Sequence, residues 1–232
     1  VRMENEQQFS EKESLRLITE MIQQAKAGYY HDSGIGPILW GTVVSIAGFM
    51  TFFTLHFNWD IEFDWWLLVL LALIPQYFIS KMERSQKVVK THVGRALDMV
   101  WLVYGISIFA ILFYVQVAPG MTSKFMEESN TILLRKDLIS GEISEYQFGM
   151  AHSPGSLLLL MFAFPTIITG VVQRQWPMII GALVTYLFFI ISIYTRNPID
   201  QLMMGTAGLI NWLIPGLILR KKYMAQRSPA HV

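Results

Sequence analysis

The stretch that decides the fold runs from Asp64 to Ala118 and reads DWWLLVLLALIPQYFISKMERSQKVVKTHVGRALDMVWLVYGISIFAILFYVQVA. Two apolar runs, Trp65–Ile79 and Met99–Ala118, flank the basic segment Lys81–Arg95. The second run is twenty residues without a charge, which is enough for a helix to cross the hydrocarbon core of a bilayer. The basic segment holds five Lys and Arg residues against one acid, and a short loop with that excess lies on the cytoplasmic side. This stretch therefore predicts two membrane-spanning helices and their orientation.

Composition supports a membrane protein over the whole chain. The 232 residues are 53% hydrophobic and 15% charged, with a mean hydropathy of +0.41, whereas soluble domains have about 25% charged residues. The net charge of +1 gives nucleic-acid binding no electrostatic support. The chain has no cysteine, which excludes disulfides, thiol catalysis and cysteine metal sites.

The apolar runs predict an all-α polytopic bundle, because only helices satisfy their backbone groups at these run lengths in lipid. We expect a transmembrane domain over residues 37–219 with six spans, at about 38–57, 61–80, 98–118, 155–172, 176–195 and 199–219. The segments then placed inside carry fourteen of the eighteen Lys and Arg residues. The prediction is an integral protein of the plasma (bacterial inner) membrane with both termini cytoplasmic, a cytoplasmic tail over 220–232 and an extracytoplasmic loop over 119–152.

Residues 10–27 predict a cytoplasmic amphipathic helix before the first span. Ser10 and Glu13 fit a capping box, and Leu15, Ile18 and Ile22 recur at helical spacing. Acidic residues on the other face disfavour binding to anionic lipid. We therefore expect this helix to dock under the bundle, to form a homo-oligomer or to bind a cytoplasmic protein partner.

The loop over 119–152 predicts two short helices. The first covers Thr131–Ile139 and ends at Gly141 as a left-handed cap, and the second opens at Ser144 with Gln147 as a capping box. The string from Leu138 to Phe148 resembles the helix–glycine–helix unit of short bacterial oligomerisation tails of the SHOCT type. That resemblance implies a small packed helical hairpin and no activity.

Two groups of polar residues are predicted near the membrane surfaces. The inner group suits a divalent metal or a proton relay, or consists of helix caps and solvated loop residues: His31, Asp32, His92 and Asp98. The outer group could gather cations or a basic ligand, or consists of ordinary exposed loop residues: His56, Asp60, Glu62, Asp64, His152 and Asp200.

A third group lies within the spans and consists of Gln76, Tyr104 and Asn211. Polar side chains in spans that also contain prolines, here at positions 75, 165 and 215, are typical of transporter binding sites. Amides in spans also hold helices together, so helix packing is the alternative. No cofactor is predicted.

An acidic amphipathic N-terminal segment is followed by the motif Tyr30–Gly34 before the first predicted span. The motif Leu213–Gly216 then lies near the end of the last predicted span. This pattern is similar to uncharacterised bacterial six-helix integral membrane proteins, and the resemblance implies a fold without a known activity. The chain has no metalloprotease HExxH, nucleophile elbow or phosphate loop. We expect a non-enzymatic sensor or accessory scaffold that uses its N-terminal helix. A small-solute transporter or channel is the rival, and a membrane enzyme or metal site at the inner His/Asp group is the third hypothesis.

Overall fold

A computed structural model describes residues 15, 16, 19, 33–86, 92–146 and 155–227. The described part of the chain is mostly helical and contains one small β-hairpin. The helices are α1 Ile35–His56, α2 Leu67–Leu71, α3 Leu73–Gln86, α4 His92–Glu128, α5 Gly155–Val172, α6 Trp176–Ser192, α7 Asn197–Gly208 and α8 Ile214–Arg227. A π-helical turn, Leu209–Leu213, joins α7 to α8, and the hairpin strands are β1 Leu134–Lys136 and β2 Ile143–Glu145.

In the part of the chain that the structure describes, four helices are long and apolar enough to cross a membrane: α1, α4, α5 and the continuous helix Asn197–Ala225. The predicted fifth span is α6, an apolar helix of 17 residues. The stretch that was predicted to form the second span contains two shorter helices, α2 and α3. The break falls at Ala72 because Pro75 has no N–H to donate to the carbonyl of Leu71.

The predicted start of that second span at residue 61 is wrong. Residues 59–64 are not helical, and α2 begins at Leu67. Asn58 has a positive φ of 50°, and the backbone N–H of Trp66 donates to Oδ1 of Asp64 at 3.0 Å. The Asp64 side chain thus competes for a backbone donor just before the helix, as aspartate does at turns and caps. Asp60 and Asp64 therefore both lie in the non-helical stretch before α2.

The core is built by α1, α5, α6 and the α7–α8 helix, which pack on one another. Its centre is a buried cluster of six side chains, Val44, Leu159, Phe162, Met204, Ala207 and Trp212. Within the described ranges, α3 packs on α1 and α2, and α4 packs on α5 and, through Trp101 and Tyr104, on Trp212 of the π-helical turn. The outward side of α4 is apolar and exposed, with Phe113 69% exposed. An apolar surface of this extent on a helix of membrane-spanning length suits contact with lipid.

Glycines bring the backbones of α1 and the α7–α8 helix into direct contact. Gly41 and Gly48 are seven residues apart and so lie on one face of α1, and Gly34, just before the helix, also contacts the α7–α8 helix. A Cβ at Gly48 would lie 2.5 Å from the backbone N of Gly205, and one at Gly216 would lie 2.8 Å from the backbone N of Ile38. Without hydrophobic drive inside lipid, helices associate through close packing of this kind.

The loop after α4 is a β-hairpin, so the helix predicted over Thr131–Ile139 and the SHOCT-like helical unit are wrong within the described residues. The strands are antiparallel, with Arg135 opposite Ser144. Asp137 Oδ1 accepts hydrogen bonds from the N–H groups of Ser140 and Ile139, both at 2.8 Å. These bonds lower the pKa of the exposed Asp137 carboxyl below its ordinary value. They form a turn instead of a helix, and Gly141, at a φ of +74°, closes that turn.

Helix α4 is longer than the third span predicted over 98–118. Helix α4 passes Pro119 and ends at Glu128. Pro119 has no N–H to donate to the carbonyl of Val115, and the helix nevertheless continues for nine residues beyond it. The first ten residues assigned to the extracytoplasmic loop are therefore helical.

Candidate functional site

Asn211 is the most deeply buried of the three predicted intramembrane residues. It lies in the π-helical turn and is fully buried. Its Nδ2 donates to Thr185 Oγ1 at 2.9 Å, and its Oδ1 lies 3.2 Å from the same oxygen. A Cβ at Gly181 would lie 2.8 Å from Asn211 Oδ1, so α6 packs directly on the amide. The polar atoms of Asn211 therefore join α6 to the π-helical turn.

Gln76 and Tyr104 have separate partners. Gln76 Oε1 accepts from Trp40 Nε1 at 3.0 Å, and Gln76 Nε2 donates to Ser80 Oγ at 3.0 Å. The Tyr104 ring lies edge-on to Trp101, with centroids 5.4 Å apart. Within the described part of the chain, no hydrogen bond or ring contact joins any two of the three predicted intramembrane residues. They lie at three different helix contacts.

Tryptophan indoles link the helices, and sequence reasoning missed this. Five of the seven tryptophans donate their N–H to a side-chain oxygen on another part of the chain: Trp40 to Gln76, Trp65 to Thr54, Trp66 to Gln201, Trp101 to Thr169 and Trp212 to Thr166, at 2.9 to 3.2 Å. A buried indole N–H needs an acceptor, and lipid supplies none. The available signal was the presence of Thr and Gln in the spans that also carry tryptophan.

The inner group is only partly described. His31 and Asp32 lie outside the described residues. His92 and Asp98 are both exposed on α4, and His92 Nδ1 lies 3.1 Å from Arg95 Nη2. Among the residues that the structure describes, no three His, Cys, Asp or Glu side chains are close enough to hold a metal ion.

The members of the outer group have different environments. His56, Asp60 and Asp64 are exposed, and the His56 ring stacks on Phe52 with centroids 5.1 Å apart. The predicted member His152 lies outside the described residues. Asp200 differs from the others because it is fully buried. Its Oδ1 accepts a hydrogen bond from Thr195 Oγ1 at 2.6 Å.

Comparison with known proteins assigns no function to these residues. The chain matches no protein-family model, no curated protein and no solved structure. A functional proposal therefore depends on the described contacts. Those contacts divide into polar side chains that hold helices together and the single buried carboxyl of Asp200.

Proposed function

We propose that the protein is a non-enzymatic integral membrane scaffold or sensor, whose N-terminal segment 10–27 binds a cytoplasmic partner or a second copy. One observation carries the proposal: the polar side chains of the apolar helices hydrogen-bond to one another across helix contacts. Asn211 pairs with Thr185, and Trp212 with Thr166. Each such bond contributes about 1 kcal/mol within a membrane. Side chains engaged in this way stabilise a fixed platform.

The proposal also includes six helices that span a bacterial inner membrane, with both chain termini on the cytoplasmic side. Helix α4 is 37 residues long and extends about 55 Å, compared with about 30 Å for the hydrocarbon core. Its ends then project on both sides, with Arg95 inside and Lys124 outside. In this arrangement fourteen of the eighteen Lys and Arg residues are inside, in agreement with the positive-inside rule.

Single cysteines test this topology, since the chain has none of its own. Ile139 at the hairpin tip is fully exposed, and Met224, after the basic Arg220–Lys222 run, is half exposed. We expect Ile139→Cys to react with a membrane-impermeant maleimide in intact cells. Met224→Cys should react only after the cells are lysed. Labelling of Met224→Cys in intact cells, or labelling of Ile139→Cys only after lysis, would contradict the arrangement.

Deletion of residues 3–27 tests the scaffold role. We expect the truncated protein to keep the melting temperature of the full chain, because the described core does not include this segment. It should lose either its self-association, measured by light scattering in detergent, or a cytoplasmic partner captured by the full chain. A truncated protein with the same mass and the same captured proteins would refute the proposed role.

A transporter or channel is the second candidate, favoured by the π-helical turn at Leu209–Leu213. π-turns within α-helices often lie at functional sites, and this one carries the buried Asn211 and is followed by the buried Pro215. This candidate predicts that the deletion has no effect and that a small organic solute stabilises the protein. The engagement of Asn211 by Thr185 favours the scaffold.

A further inference from the structure

Gln116 is an amide side chain on the outer surface of α4. It is exposed, and within the described part of the chain its side chain makes no hydrogen bond. The other three amides of the predicted spans each hydrogen-bond to a side chain elsewhere in the chain: Gln76 to Trp40, Gln201 to Trp66 and Asn211 to Thr185. Gln116 thus differs from them in having no partner among the described residues.

Gln116 also lies at the depth of the hydrocarbon core. The charged residues that flank the apolar part of α4 are Asp98 and Lys124, and residues 99–123 between them carry no charge. These two residues are about 39 Å apart along the helix axis. A hydrocarbon core of about 30 Å centred between them places Gln116 about 7 Å inside its outer boundary. Lipid offers no hydrogen bond at that depth, so a polar side chain there is costly unless protein provides a partner.

The helix face that carries Gln116 is open. Phe109, Leu112 and Phe113 precede Gln116 by seven, four and three residues, so the four side chains lie on one face of α4. The three apolar side chains are 54%, 44% and 69% exposed. Tyr104, which packs on Trp212 of the core, is about 120° around the helix from Gln116. The Gln116 face, defined by these four residues from Phe109 to Gln116, is therefore accessible while α4 stays packed on the bundle.

We propose that the Gln116 face binds the same face of a second copy, so that the two Gln116 amides hydrogen-bond to each other inside the membrane. A primary amide both donates and accepts, so an identical partner satisfies it. Two copies inserted in the same direction are related by a twofold axis along the membrane normal, which brings each residue of the face opposite its own counterpart. The partner amide is then at the depth where lipid offers none. The inference rests on the membrane span proposed for α4 and does not involve residues 10–27.

Single cysteines test this contact in native membranes, because the chain has no cysteine of its own. We expect Phe109→Cys and Leu112→Cys to form disulfide-linked dimers on oxidation, since a disulfide requires two Cα atoms within about 7 Å. Tyr114→Cys is the matched control. Tyr114 is as exposed as Phe109, at 56% against 54%, but it lies about 160° around the helix from Gln116, so Tyr114→Cys should stay monomeric.

Replacing the amide tests its role in the dimer. We expect Gln116→Leu to raise the dissociation constant about fivefold, measured by energy transfer between donor- and acceptor-labelled full chains in vesicles of increasing lipid content. Gln76→Leu is the same substitution in another predicted span, and it removes the hydrogen bonds of Gln76 to Trp40 and Ser80. It should lower the melting temperature of the protein and leave the dissociation constant of the dimer unchanged.

Equal crosslinking at positions 109 and 114 would indicate random collision and overturn the proposal. No crosslink at either position 109 or 112, or the same dissociation constant for wild type and Gln116→Leu, would overturn it as well. If Ile139→Cys and Met224→Cys label as expected, such a result refutes the dimer and leaves the proposed topology standing. Deletion of residues 3–27 should leave the crosslink at position 109 intact, which separates this contact from the one proposed for residues 10–27.

Discussion

Gly48→Ala is expected to destabilise the protein by about 3 kcal/mol, which lowers the melting temperature by roughly 6–12 °C for a chain of this size. The added methyl would lie 2.5 Å from the backbone N of Gly205 and 2.6 Å from its Cα. Backbone atoms cannot rotate away as the end of a side chain can. The two helices would have to separate, which weakens the contacts along their whole length. Thermal unfolding in detergent measures the effect.

Gly105→Ala is the matched control, since it is the same substitution in an apolar helix. A Cβ at Gly105 would meet nothing within 4 Å, and replacing a helical glycine by alanine stabilises by about 0.5–1 kcal/mol. We expect its melting temperature to equal or exceed that of the wild type. Equal melting temperatures for Gly48→Ala and Gly105→Ala would show that the close contact between α1 and α7 does not hold the fold.

Trp212→Ala is expected to cost about 3–5 kcal/mol, the usual cost of removing a large buried aromatic side chain. Trp212 is 3% exposed, packs on the Phe162 ring with centroids 5.0 Å apart and donates its N–H to Thr166 at 2.9 Å. Trp101 and Tyr104 of α4 also contact its ring. The substitution should therefore lower the melting temperature by on the order of 10 °C and loosen α4 from the core.

Trp176→Ala provides the comparison, because Trp176 is 72% exposed and the substitution removes the same side chain. Its melting temperature should stay within about 2 °C of the wild type, as for most exposed positions. Trp212→Phe keeps an aromatic ring without the N–H, so it should fall between the wild type and Trp212→Ala. If the two alanine variants are equally stable, Trp212 does not make the expected contribution to the stability of the core.

The helical, membrane-type fold could be predicted because its signals are local. The charge-free run Met99–Ala118 and the apolar runs that became α1, α5, α6 and the α7–α8 helix follow from composition alone. Two boundaries depended on single side chains. Asp64 captures a backbone donor before α2, and Pro75 divides α2 from α3. The Asp137 turn was missed because a side-chain hydrogen bond to the backbone overrode an apolar pattern at helical spacing.

The sequence by itself determined that long apolar helices form and which of their residues are polar, since hydropathy and backbone hydrogen bonding act along the chain. Only the tertiary structure decided which polar residues meet. Asn211 pairs with Thr185, 26 positions away, and Trp66 with Gln201, 135 positions away. The tertiary structure also decided the burial of Asp200, a residue that its sequence position predicted to lie at an outer mouth. Such contacts depend on the order and rotation of the helices. Packing of glycines between α1 and α7 sets that order and rotation, and the hydropathy pattern along the chain does not predict it.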